Sequence, residues 1–203
     1  MKYDYNKIRN EVREIVKEAC YSEKNAFDCT VFDNHILPVV EHSLKLGRKF
    51  KVNSNGQLKV DFEVLELSAL LHDYAGVNDF NLYKDHHLHS AKMADKILSR
   101  LNYPVSKINH IKECITSHRG SVKISKNTVE AKILASADAM AHFTELADMF
   151  FLAFNVHGYK TQEGSKWLKK KLMRSWKKIT PEGKKMVEND YKIAINILNK
   201  AIK

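Results

Sequence analysis

Apolar residues along the chain recur at steps of three and four, and they divide it into a succession of helices. Ile8, Val12, Ile15, Val16 and Ala19 form the first such stripe between Tyr5 and Tyr21, with Lys, Arg and Glu on the opposite face. After a break at Ser22-Glu23-Lys24-Asn25, the pattern predicts a helix from the caps Asp33-Asn34 to about Phe50, with His35, Val39, His42 and Leu46 on one stripe and Pro38 confined to its first turn. Phe50 to Val60 surrounds a turn signal, Asn53-Ser54-Asn55-Gly56, which fits either a small hairpin or an ordered loop. Asp61 then caps a run from Val64 to Leu71 that is apolar almost all round. That run is predicted to be a buried helix, and it stops at His72-Asp73.

Tyr74 to Asp85 is irregular and reads as a loop overhanging Asp73. Asp85-His86-His87-Leu88-His89-Ser90-Ala91 opens a helix continuing to Leu101, and another carries Ile108, Ile111, Ile115 and His118 before Arg119-Gly120 ends it. Asn127 or Thr128 caps an Ala-rich helix that holds Asp138 and His142 and runs into Met149 to Phe154, a stretch apolar enough to be core or an oligomer contact. Asn155 to Gly164 reads as a linker. Beyond it Trp167, Leu168, Leu172, Trp176 and Ile179 alternate with Lys166, Lys169, Lys170, Lys171, Arg174, Lys177 and Lys178 as an amphipathic basic helix. Thr180-Pro181 starts a last helix with Val187, Tyr191, Ala194 and Leu198 as its inner edge.

Composition narrows this further. Only seven Gly and three Pro among 203 residues leave few turns for an all-β fold, and 44% hydrophobic content supports a core, so the expected class is all-α. Cys20, Cys29 and Cys114 are odd in number and contain no Cys-x-x-Cys pair, which argues against a disulfide framework or a cysteine zinc cage. A reducing cytoplasm is the expected compartment, and neither a signal segment nor a bilayer-length apolar run is present. The net charge of +10 favours anionic partners: phosphorylated metabolites, nucleic acid or an acidic membrane surface. A solvated lysine face explains the same charge, and the basic helix from Lys166 to Lys178 admits both readings.

Candidate chemistry begins at His72-Asp73. Adjacent side chains on a helix point about 100° apart, so an imidazole and a carboxylate reach one cation only where the helix ends and the backbone bends. Chance supplies such a dipeptide in about every second chain of this composition, so specificity must come from its surroundings. His35 and His118 lie on core-facing stripes, and His86 shares a face with the small Ser90 four residues on. Three histidines in four residues exceed what packing requires, which leaves open which of His86, His87 and His89 binds and which form a solvent-facing cluster. His110, Cys114 and His118 also fall at steps of four, but Cys114 reads as a small buried hydrophobe. Asp138 sits among alanines, where a carboxylate is costly unless something positive meets it; His142 shares its face.

In chain order these residues read His, His-Asp, His, His, Asp, which resembles the HD-domain superfamily of metal-dependent phosphohydrolases over about Asp33 to Phe154. On that resemblance, residues 25–155 form the HD domain, 1–24 an N-terminal packing helix and 156–203 a basic helical extension. The resemblance implies an all-α bundle in which His35, His72, Asp73 and Asp138 hold one metal and His86 and His118 join a bridging Asp73 around a second. Iron or manganese suits this donor set, and magnesium suits it less. The implied reaction is hydrolysis of a phosphoester or pyrophosphate bond in a nucleotide or similar small phosphorylated substrate, with Asp73 catalytic and Arg119, Lys123 and His142 as phosphate contacts. Many relatives carry a lysine three residues after the Asp, where this chain has Gly76. Loss of His86 and His118 as ligands would leave a one-metal site. The rival expectation is an HD fold that binds a nucleotide or RNA without turnover, and a homo-oligomer is compatible with either.

Overall fold

The computed structural model describes residues 3–27 and 29–203, and among these there is no β-strand. Ten α-helices follow one another: α1 Tyr5–Cys20, α2 Leu37–Asn53, α3 Phe62–Leu71, α4 Tyr74–Asn78, α5 His86–Arg100, α6 Val105–Ser117, α7 Val129–Thr144, α8 Leu146–Phe151, α9 Thr161–Lys178 and α10 Pro181–Ala201. The expected all-α class is what the chain adopts.

The hydrophobic run Val64–Leu71 becomes the axis of the bundle. Asp61 accepts bonds from Glu63 N and Val64 N at 3.1 Å each, which satisfies donors left open at the start of α3. With Val64, Leu65, Leu67, Ala69 and Leu71 fully buried, α3 keeps only Phe62, Glu63 and Glu66 partly exposed, and α1, α2, α6 and α7 surround it. α9 and α10 pack on α7 and extend the same apolar core through Leu168, Leu172, Val187 and Leu198. Trp176 stacks on Tyr191 with ring centroids 4.1 Å apart, and Phe143 of α7 meets both rings edge-on.

One local alternative is resolved and two local expectations are corrected. There is no hairpin at Phe50–Val60: α2 continues to Asn53, and positive φ at Asn55 and Gly56 turns the chain out of it, with Gly56 N bonded back to Lys51 O at 2.9 Å. The stretch from Tyr74 to Asp85 is not irregular but forms α4 and a 3-10 turn, Phe80–Asp85. The linker is shorter than Asn155–Gly164, because a π-helical turn spans Leu152–Val156 and α9 starts at Thr161. Gly164 therefore lies inside a helix, where its lack of a Cβ makes room for the ring of Phe154.

Candidate metal centre

Every candidate ligand but Asp138 stands where its helix begins, ends or is irregular. His72 closes α3 with helical angles, and Asp73 follows at φ −108° and ψ 3°, the bend that lets neighbouring side chains converge. His35 lies in a π-helical turn, Phe32–Ile36, whose wider spacing resets the direction of the ring relative to α2. His86 is the first residue of α5, His118 follows the last residue of α6, and Asp138 is in the middle of α7.

The two oxygens of Asp73 divide these groups. Its Oδ2 lies 3.5 Å from His35 Nε2 and 3.4 Å from His72 Nε2. Its Oδ1 lies 3.1 Å from His86 Nε2 and 3.5 Å from His118 Nε2. Two ligand triads, His35/His72/Asp73 and Asp73/His86/His118, thus share one carboxylate. Asp138 Oδ1 approaches from the far side, 3.8 Å from His35 Nε2 and 3.6 Å from His142 Nε2.

The far nitrogen of three of the four rings shows what the cluster is for. Nδ1 of His72, His86 and His118 lies 2.8, 2.8 and 2.6 Å from the carbonyls of Ala69, Tyr83 and Ile115. A carbonyl only accepts, so Nδ1 carries the proton and a neutral ring turns a bare Nε2 lone pair inward. His86 Nε2 and His118 Nε2 then face each other at 3.3 Å, as do His72 Nε2 and His35 Nε2, and the buried Asp73 Oδ1 makes no hydrogen bond. With the lone pairs of His72, His86 and His118 turned inward beside an orphaned carboxylate oxygen, only His35 has a proton to offer among these groups. A divalent cation at each triad would satisfy them all, and the carbonyl partners supply the outer support that metal-bound histidines use. The donor set fits divalent metal.

Burial and charge tune these groups in opposite directions. Burial lowers His72 to about 4 despite the nearby Asp73 charge, keeping it neutral at physiological pH. His35 and His86 are also disfavoured by burial, but Asp73 outweighs it and raises both. Burial opposes ionisation of Asp73 as well, yet the surrounding imidazoles hold it well below the usual carboxylate range.

The centre forms one wall of a cavity of about 340 Å³. His142 lines it with Nδ1 2.8 Å from Ser175 Oγ, and burial pushes its pKa well down. Arg119 also lines it, although its guanidinium donates to Lys84 O and lies 4.0 Å from Asp85. Lys123 is exposed and does not line the cavity, so the structure does not bring it to the other predicted contacts. It follows the Arg119-Gly120 helix stop, and the chain carries it outward. Gly76 does line the cavity, and a Cβ there would come within 3.3 Å of His86 Cβ.

His87 is buried outside the cavity wall, and His89 is partly buried elsewhere on α5. His42 is bonded to Thr144 Oγ1 at 3.1 Å, as a core histidine should be. His110, Cys114 and His118 do not share a site: His110 lies 3.1 Å from Glu130, and Cys114 contacts Thr128.

Sequence reasoning placed Arg119 at the site but missed the cavity's other three cations. Lys171, Arg174 and Lys178, all on α9, line it, and Lys178 Nζ donates to Asp138 Oδ2 and to the His118 carbonyl. The predicted need of Asp138 for a positive partner is met by a lysine of the extension. The available signal was spacing: Trp167, Lys171, Arg174, Ser175 and Lys178 fall at helical steps, although lysines on every side of α9 obscured that inward stripe.

An all-α bundle with a shared carboxylate between histidine pairs defines a class of protein that binds divalent metal. The HD domain family model matches residues 32–142, more than half of the chain, and the chain belongs to that family. The match ends before α8, α9 and α10. Among solved structures, a predicted HD superfamily hydrolase from an uncultured Thermotogales bacterium superposes with a TM-score of 0.60 at 20% identity, covering 94% of this chain and 89% of that one, a likeness of fold. No curated protein matches.

Proposed function

We propose that this protein is a divalent-metal-dependent phosphohydrolase that cleaves a phosphoester or pyrophosphate bond in a nucleotide or similar small phosphorylated substrate. The observation that carries this reading is the shared Asp73, with one oxygen turned to His35 and His72 and the other to His86 and His118. His35, His72, Asp73 and Asp138 would hold one ion, and His86 and His118 with Asp73 a second; imidazole and carboxylate together favour iron or manganese. When bound, such ions lower the pKa of water to near neutrality and offset the charge of phosphoryl oxygens. The chain's own residues do the rest. Asp73 fixes the spacing of the two ligand sets, the backbone carbonyls orient the rings, and Lys178, Arg119 and Lys171 bring positive charge to a cavity that an anion must enter.

The HD family membership and the solved relative titled a predicted hydrolase support hydrolysis. The test is metal analysis of protein prepared without chelators, followed by phosphate release from a nucleotide panel with Mn²⁺ or Fe²⁺. One or two ions per chain and metal-dependent turnover are expected, both lost in the His72→Ala/Asp73→Ala double variant. Turnover that survives in that variant would overturn the site.

A further inference from the structure

Four cationic side chains line the cavity, and they are not equivalent. Lys178 is engaged by Asp138 and the His118 carbonyl, Arg119 is engaged by Lys84 O, and Arg174 is exposed to solvent. Lys171 is only partly exposed, and among the described residues no carboxylate lies within 4.0 Å of it and no hydrogen bond reaches it. An ammonium lodged in a cavity wall without a partner is a place where an incoming anion replaces lost hydration.

Its position on α9 sets what that anion is attached to. Trp167, Lys171, Ser175 and Lys178 share one stripe, and the rise of about 1.5 Å per residue puts Trp167 roughly 6 Å beyond Lys171, on the side away from Lys178 and Asp138. There the indole meets the ring of His157 edge-on at 4.8 Å, and Tyr83 lies 6.4 Å from His157. Burial lowers the pKa of His157, so this wall is neutral and aromatic. Along α9, away from Lys178 and Asp138, the cavity presents an ammonium and then the rings of Trp167 and His157, and Tyr83 bridges from His157 back to His86, whose ring it stacks on at 5.7 Å. That order matches a phosphate, a short saturated spacer and a heteroaromatic ring.

Resting on the phosphohydrolase reading, we propose that α9 reads the substrate: Lys171 binds the phosphoryl group, and Trp167 with His157 seats the base of a nucleoside monophosphate. These residues lie outside the family match at residues 32–142. The cavity, at about 340 Å³, is of a size for a small ligand.

The test uses the full chain loaded with Mn²⁺ and calorimetric titration of three probes: the methylenephosphonate analogue of adenosine monophosphate, which resists hydrolysis, ribose 5-phosphate, and a short RNA. The analogue is expected to bind on the order of tenfold more tightly than ribose 5-phosphate, a preference lost in Trp167→Ala, because stacking a base on an aromatic ring is worth about that much. Lys171→Met should weaken both small probes by on the order of tenfold, and Lys171→Arg should restore them, since either cation holds phosphate. Turnover of adenosine monophosphate should show the same change in KM with kcat nearly unaltered. Unchanged binding in Lys171→Met with its melting temperature preserved, equal binding of analogue and sugar phosphate, or preference for RNA would each overturn the proposal. Hydrolysis of p-nitrophenyl phosphate by the same preparation separates the two readings: if that activity is present while the binding pattern is absent, the assignment of α9 fails and the hydrolase reading stands.

Discussion

Two clusters of ionisable side chains flank α3, one at each end, and they resolve their charges differently. At the N-terminal end Lys107 Nζ bonds Glu63 Oε2 at 2.6 Å and Asp61 Oδ2 at 2.9 Å, while Tyr3 and Tyr103 donate to the same Glu63 oxygen at 2.7 and 3.1 Å. Donors alternate with acceptors there, and the cluster closes on itself. At the C-terminal end four imidazole Nε2 atoms crowd one carboxylate, and its Oδ1 is left without a hydrogen bond. Acceptors face acceptors, so that cluster is incomplete without a cation. An internally satisfied polar network ties the helices together, whereas a network with a consistent surplus of lone pairs is a receptor.

Asp73→Asn strikes at the unsatisfied end. It removes the charge between the two triads, so bound metal should fall to background and turnover should drop by more than about 100-fold, the upper end of the loss seen when only an outer-shell partner is removed. Retention of both ions, measured by elemental analysis, would mean that the imidazoles suffice. Lys107→Met addresses the other end. It should lower stability by roughly 1 kcal/mol, because the cluster is partly exposed and Glu63 keeps two tyrosine donors, equivalent to a fall in melting temperature of about 2–4 °C. Metal content and KM should not change; if either moves, the N-terminal cluster is more than a tie.

A third outcome concerns pH. Burial lowers Lys171 to about 8, with Asp138 and Asp73 opposing and Lys178 and Arg174 reinforcing the shift. Its ammonium is therefore present below that value and lost above it. Affinity for the phosphonate analogue should weaken as pH rises through 8, by up to about tenfold per unit, and Lys171→Met should flatten the profile. Stability runs the other way. Between about 8 and the ordinary lysine value of 10.5 the unfolded chain holds more protons, so this residue's contribution favours the fold increasingly with pH.

The elements easiest to read from sequence are those whose side chains answer to a single demand. Val64–Leu71 had to be buried, Asp61 had to cap it, and both did so. The convergence of His35, His72, Asp73, His86 and His118 was legible because each lies at a helix end or on an inner stripe, where periodicity gives direction. His86 could not be distinguished from His87 and His89 by pattern, because one residue of phase at a helix start decides which ring points inward. The π-helical turn around His35 was not legible either, since nothing local marks the extra residue. Lys171 and Lys178 were hidden for another reason. Lysine is the commonest solvated side chain, and what draws these two inward is Asp138 and the cavity, which exist only once α9 has packed on α7.

α9 crosses the mouth of a centre built entirely from earlier parts of the chain. On the proposed reading, reactive groups and discriminating groups occupy separate stretches of polypeptide that meet only through packing. A change in that one helix would then retune what the protein accepts while leaving the ligand cluster untouched.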